Sequence, residues 1–154
     1  MYFISVVLLL LVFPAGSVLI DLLWGGSADI LVLIGKWFVF WAVGVRLFLA
    51  GLRQVARPRF TAEDIFEIKD KASFALAREV GFANLSMGSL GLASIAQSKW
   101  VIPAAIVGGL YYGLAGIGHI IRGRLNFAGW VALTSDLFIF ALLALFLASR
   151  GLNF

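Results

Sequence analysis

Apolar residues in this chain come in long blocks separated by short polar breaks, a pattern of membrane-crossing helices rather than of half-buried strands or amphipathic surface helices. The first block runs from Tyr2 to Leu23, is interrupted by Pro14-Ala15-Gly16-Ser17, and closes with Asp21 and Trp24. Pro14 removes a backbone donor in mid-block and is expected to kink or loosen the helix there. Gly25-Gly26-Ser27 reads as a turn. Ala28 to Leu52 then forms a second block that carries Lys36, Trp37, Trp41 and Arg46. The one long polar stretch follows, Arg53 to Lys71, in which Pro58 breaks the helix and Thr61-Ala62-Glu63-Asp64 reads as an N-cap with acidic residues behind it. That spacing predicts an interfacial helix start over about 61–71, with Ile65, Phe66 and Ile68 on its apolar side. Three more blocks complete the chain: Ala72 to Gln97, Trp100 to Ile121 after the turn Ser98-Lys99, and Phe127 to Ser149 after Arg122-Gly123-Arg124-Leu125-Asn126.

These blocks predict an all-α integral membrane bundle of five transmembrane helices, with spans at about 2–23, 28–52, 72–97, 100–121 and 127–149. Four spans are the alternative if the first block is peripheral or removed. No Lys or Arg precedes Lys36, so the first block lacks the basic flank of a signal peptide and is expected to be retained. The 154 residues leave no room for a separate soluble domain, so 1–154 is read as one membrane domain.

Composition narrows the chemistry. A chain that is 62% hydrophobic and 13% charged, with mean hydropathy +1.05, has too little polar surface for a soluble protein. With no cysteine, thiol redox, disulfide, iron–sulfur and thiolate-metal chemistry are excluded on this chain. The net charge of +4 rests on few residues and is read as topology signal, with no nucleic-acid partner expected. Arg53, Arg57, Arg59, Lys69, Lys71, Arg122 and Arg124 all fall in the second and fourth loops, which predicts that both are cytoplasmic and that the N-terminus is cytoplasmic too.

Charges inside the blocks are the anomaly. At about 1.5 Å per residue from the inner ends, Arg46 lies about 9 Å deep, Glu79 about 10 Å, His119 about 5 Å, Asp136 about 13 Å and Asn84 about 18 Å. A charge near mid-membrane costs about 2.5–3.5 kcal/mol, so these groups are expected to face inward and pair. The expected pairing is Arg46 with Glu79, leaving Asp136 to Arg78, His119 or a tyrosine hydroxyl. Arg78 and Glu79 point about 100° apart on a helix, so at most one of them aims at the centre, and Arg78 is the better placed to snorkel. Arg46, Arg78, Glu79, Asn84, Tyr112, His119 and Asp136 are therefore the candidate residues of a ligand or proton pocket. The plainer alternatives are that Arg46 anchors the helix at its interface, that His119 is satisfied by backbone or headgroups, and that the buried charges only fix helix register. One histidine without cysteine predicts no metal site, and no cofactor is expected.

Small residues recur at helical spacing. Ala77, Gly81, Asn84, Gly88 and Gly91 line one face of the third span; Ala105, Gly109, Tyr112, Gly116 and His119 line one face of the fourth, with Gly113 beside them. Such stripes predict close packing, here of the third span against the fourth as an antiparallel hairpin. No phosphate loop, dinucleotide fingerprint, nucleophile elbow or His-Glu-x-x-His occurs, so no enzymatic activity is expected.

Ala77-Arg78-Glu79-Val80-Gly81-Phe82-Ala83-Asn84-Leu85-Ser86-Met87-Gly88 resembles a family of small uncharacterised prokaryotic membrane proteins with an Arg-Glu-x-Gly-Phe-Ala-Asn-x-x-x-Gly hallmark. Phe60-Thr61-Ala62-Glu63-Asp64-Ile65-Phe66 with Ile68 and Asp70, Gly118-His119, and Ser135-Asp136-Leu137 extend the resemblance over the last two-thirds of the chain. It implies a multi-pass protein of the inner (plasma) membrane and draws attention to Arg78, Glu79, Asn84, His119 and Asp136, but carries no activity. Size and span count give a weaker similarity to the DoxX-like membrane proteins, which transfers no function. Two functions then compete: binding or conducting a small molecule, lipid, quinone or proton, or serving as an accessory subunit in a homo-oligomer or membrane complex.

Overall fold

The structure is a computed structural model describing residues 2–25 and 29–151; Gly26, Ser27 and Ala28, at the expected first turn and second span start, lie outside the described residues. Among the described residues there is no strand. Five long helices follow one another: α1 (Phe3–Trp24), α2 (Ile30–Ala56), α3 (Ser73–Ala93), α4 (Val101–Arg122) and α5 (Phe127–Ser149). Four stretches, Phe3–Trp24, Ile30–Ala56, Ser98–Arg122 and Phe127–Ser149, are long and apolar enough to cross a membrane. The helix outside that set is α3, not the first one. Arg78, Glu79, Asn84 and the serines at 73, 86 and 89 dilute its hydropathy, although its 21 residues are long enough.

The helices are not uniformly wound. Leu8–Val12 is π-helical immediately before Pro14, whose ring would otherwise press on the carbonyl four residues earlier, at Leu10; the widened turn accommodates it. A second π-helical segment, Val39–Arg46, sits in the middle of α2 and contains no proline.

The central member is α2, which touches all four other helices. Along its first half it is stitched to α1: Lys36 Nζ and Trp37 Nε1 each donate to the Asp21 carboxylate at 2.8 Å, and Trp41 Nε1 donates to Ser17 Oγ at 3.0 Å. Along its second half it receives α3. Gly91 of α3 lies against the backbone of Gly44, and a Cβ placed on Gly88 would stand 2.5 Å from the backbone nitrogen of Phe48. The stripe of small residues on α3 is thus used, but against α2. The stripe on α4 faces α5 instead, where Gly109 meets Leu143, Gly113 the ring of Phe140, and Gly116 the side chain of Leu137. The expected tight α3–α4 hairpin is replaced by two separate close contacts, because a short connection makes helices neighbours without deciding which faces meet.

Between α2 and α3 the chain closes one end of the bundle. A short helix does start in this stretch, at Pro58 rather than Thr61; its last part, Phe60–Ile65, is a wide π-helical turn with Thr61 and Ala62 buried, and it stops at Ile65 instead of running to 71. It ends through Glu67 in the left-handed region at φ 59°, with the Ile68 N–H returning to the Ala62 carbonyl at 2.8 Å. Asp70 then makes an Asx turn at the entry to α3, its Oδ1 accepting the Ala72 N–H at 2.9 Å. Asn126 fixes the turn to the far side of the bundle. Its Nδ2 donates to the Asp64 carbonyl at 2.8 Å while its Oδ1 caps α5 at the Gly129 N–H, also 2.8 Å.

Two glycine substitutions separate close approach from mere smallness. Gly88→Val forces backbone against backbone and is expected to destabilise by about 3 kcal/mol or more, at or beyond the usual range for overpacking. Gly109→Ala meets only Leu143 Cβ, at 3.6 Å, and leaves stability unchanged or raised. Melting of the two variants in the same detergent checks this.

Candidate functional site

The π-helical segment of α2 carries Arg46 at its end, and three residues from two other helices converge on it. Arg46 Nη2 stands 3.9 Å from Asp136 Oδ1 of α5, and Arg46 Nη1 donates to the Tyr112 hydroxyl of α4 at 3.4 Å. The Tyr112 hydroxyl in turn donates to the Ala42 carbonyl at 2.6 Å, inside the widened turn. His119, two turns further along α4, places Nε2 3.8 Å from the other oxygen of Asp136. All of this is shielded: Asp136 is 6% exposed, His119 8% and Tyr112 0%. At about 4 Å and an effective dielectric of about 20, one such pair attracts by about 4 kcal/mol before desolvation, which is why a lone member could not stay inside.

Arg46, His119 and Asp136 line a cavity of about 510 Å³ to which all five helices contribute. Its walls are mostly apolar, with Val6 and Leu9 from α1, Leu47 and Leu49 from α2, Val80 from α3, and Ala115 and Ala132 from α4 and α5. Asn84 is 1% exposed and lines it from α3; its Nδ2 donates to Gln54 Oε1 at 2.7 Å, and its Oδ1 has no hydrogen-bond partner. Phe60, Thr61, Ile65 and Phe66 of the wide turn border the cavity at the end where the two basic loops lie. Two arginines stand there over rings of that turn, Arg53 at 3.7 Å from the Phe60 centroid and Arg122 at 5.9 Å from that of Phe66.

Of the seven residues expected in the pocket, Arg46, Asn84, His119 and Asp136 line this cavity, and Tyr112 lies behind it, holding Arg46. Arg78 and Glu79 do not reach it; both are exposed on α3. The expected Arg46–Glu79 pair is therefore corrected to Arg46–Asp136. The cause is register. Gly91 packs on Gly44 and Gly81 on Gln54, which sets Glu79 level with the last residues of α2, about 15 Å along the axis from Arg46 at 1.5 Å per residue.

Several lining residues escaped the sequence reading, although their spacing carried the signal. Arg53 follows Arg46 by two helical turns and so shares its face, Arg122 follows His119 by one turn, and Gln54 lies beside Arg53. The Asp21–Lys36–Trp37 cluster was also missed; it lies outside the cavity and fastens α1 to α2. Among the described residues no three of His, Cys, Asp and Glu gather as a metal site would require.

No curated protein and no solved structure matches this chain. Residues 1–152 match the family of unknown function DUF6790, and the chain belongs to that family.

Proposed function

We propose that this protein is a plasma-membrane binder of a small amphipathic molecule, a lipid, quinone or weak acid, taken into the intramembrane cavity from the cytoplasmic side. The observation that carries the reading is the cavity: about 510 Å³ of mostly apolar wall that ends on a buried Arg46–Asp136–His119 cluster. An apolar cleft with a few convergent polar groups is the usual form of a small-molecule site. Ionisable groups inside a membrane bundle mark ligand or proton pathways more often than packing. In this reading the Arg46–Asp136 pair shapes the polar inner wall of the site and His119 exchanges protons with Asp136, so binding or conduction, rather than catalysis, is the role.

The test is mass spectrometry of molecules retained after mild detergent extraction, coupled to melting with and without added lipid extract. Wild type is expected to retain a ligand and to melt higher when ligand is restored, by about 2.7 kcal/mol at a hundredfold excess over Kd. Ala132→Trp, which fills the wall, loses both effects while remaining folded. The double variant Arg46→Met with Asp136→Asn removes both charges, keeps its stability because no charge is left unpaired, and also loses the ligand. Wild type that retains nothing and melts identically with extract sinks the proposal.

One observation favours a second reading, an accessory subunit. The outward face of α3 presents Arg78, Glu79, Ser86 and Ser89, a polar surface on a helix in an apolar bundle. If a partner helix covers it, Arg78→Ala with Glu79→Ala leaves the melting of the isolated bundle unchanged and removes a larger species from native gels of mildly solubilised membranes.

A further inference from the structure

We infer that the ligand of this cavity is an amphipathic anion, with a carboxylate or phosphate head held at the cavity mouth by Arg53 and Arg122. The inference rests on the cavity being a binding site. Inside the cavity the one carboxylate, Asp136, is already engaged by Arg46 and His119. At the mouth stand Arg53 and Arg122, and neither is in a salt bridge among the described residues. Three arginines, Arg46, Arg53 and Arg122, line the cavity against the single carboxylate of Asp136, while in the closing turn Glu63 is taken by Arg59 at 2.7 Å and Asp64 is exposed. The mouth therefore carries an excess of positive charge facing an apolar enclosure.

Arg122 makes the chemistry more specific. Its Nε and Nη2 are buried and have no acceptor. These two nitrogens form the lateral fork of a guanidinium, the edge that grips a carboxylate or phosphate through two parallel hydrogen bonds. Nη2 rests on the first turn of α5, where a Cβ on Gly129 would come within 3.2 Å of it. A cation against a helix N-terminus is unfavourably placed, whereas an anion there is attracted by both the helix and the fork. The ring of Phe60, 3.7 Å from the Arg53 guanidinium, holds that group over the mouth, whereas the buried fork of Arg122 turns from α5 toward the cavity when an anion arrives. The apolar part of such a ligand fits along Leu9 and Leu49, toward the side where Ser5 and Leu49 are exposed between α1 and α2.

The test is equilibrium binding of radiolabelled decanoate and decanol, at pH 7, to the full chain in phosphatidylcholine nanodiscs. Decanoate is expected to bind about tenfold or more tightly than decanol, the worth of a charge-assisted bidentate contact. Arg122→Gln lowers decanoate affinity by a similar factor and leaves decanol unchanged. Arg122→Lys keeps the charge that orients the chain but lacks the fork; it gives an intermediate loss and serves alone if the glutamine variant does not fold. Equal binding of the two probes to wild type, or an unchanged decanoate affinity in Arg122→Lys and Arg122→Gln, overturns the anion site while the cavity reading stands. Absence of binding by either probe, with Ala132→Trp indistinguishable from wild type, brings down both. Repeating the measurement with phosphatidylglycerol in the disc separates sources: competition with decanoate identifies a leaflet phospholipid, and undiminished decanoate binding identifies a free anion, either result supporting the site.

Discussion

A guanidinium in the middle of an apolar helix cannot be hydrated by hydrocarbon, and the arrangement of this bundle follows from where Arg46 finds its partners. Asp136 has to come from α5 and Tyr112 from α4, so α2 must lie against both. Gly108 permits this on the α4 side, because any larger residue would collide with the side chain of Val43. The π-helical turn of α2 belongs to the same device. Its widened backbone leaves the Ala42 carbonyl free to accept from Tyr112 at 2.6 Å, which fixes the hydroxyl that receives Arg46. Close packing, an irregular helix and a buried ion pair are here one interlocking solution to a single charge.

The fold was legible because length and hydropathy alone decide which segments form helices. Boundaries were less so. Arg53 and Gln54 look like loop residues in a list of hydropathies, yet α2 continues to Ala56, since both side chains turn into the cavity while the backbone remains helical. The short helix ending at Ile65 starts three residues before Thr61, whose acidic neighbours suggest an N-cap; Thr61 is instead buried inside the π-helical turn.

For the site, depth was legible and direction was not. Counting residues from the helix ends put Arg46, Asn84, His119 and Asp136 in one half of the bundle, and the structure brings those four to one cavity. The same count misled for Glu79 in height, because the packing of Gly81 on Gln54 sets it about 15 Å along the axis from Arg46, and it could not give the azimuth. The correction was present in the small-residue stripe: Glu79 precedes Gly81 by two residues and so points about 200° away from it. Once Gly81, Gly88 and Gly91 are committed to α2, Glu79 must face outward; Arg78, only about 60° from Gly81 on the helix, is exposed beyond the end of that contact. Arg53 and Arg122 were hidden for a different reason. Basic residues near helix ends already had an explanation in topology, and one role does not exclude another.

Distances within the molecule separate closed ion pairs from an open one. Lys36 and Asp21 close to 2.8 Å, and Arg59 and Glu63 to 2.7 Å, the lengths of fully formed charge-assisted hydrogen bonds. The first joins α1 to α2, the second lies within one short helical stretch, and both lie outside the cavity. Asp136 is far better shielded from solvent than Asp21, where a direct bond would be worth more, yet it stands 3.9 Å from Arg46 and 3.8 Å from His119. Electrostatic attraction survives at that separation while the short hydrogen bonds are not made.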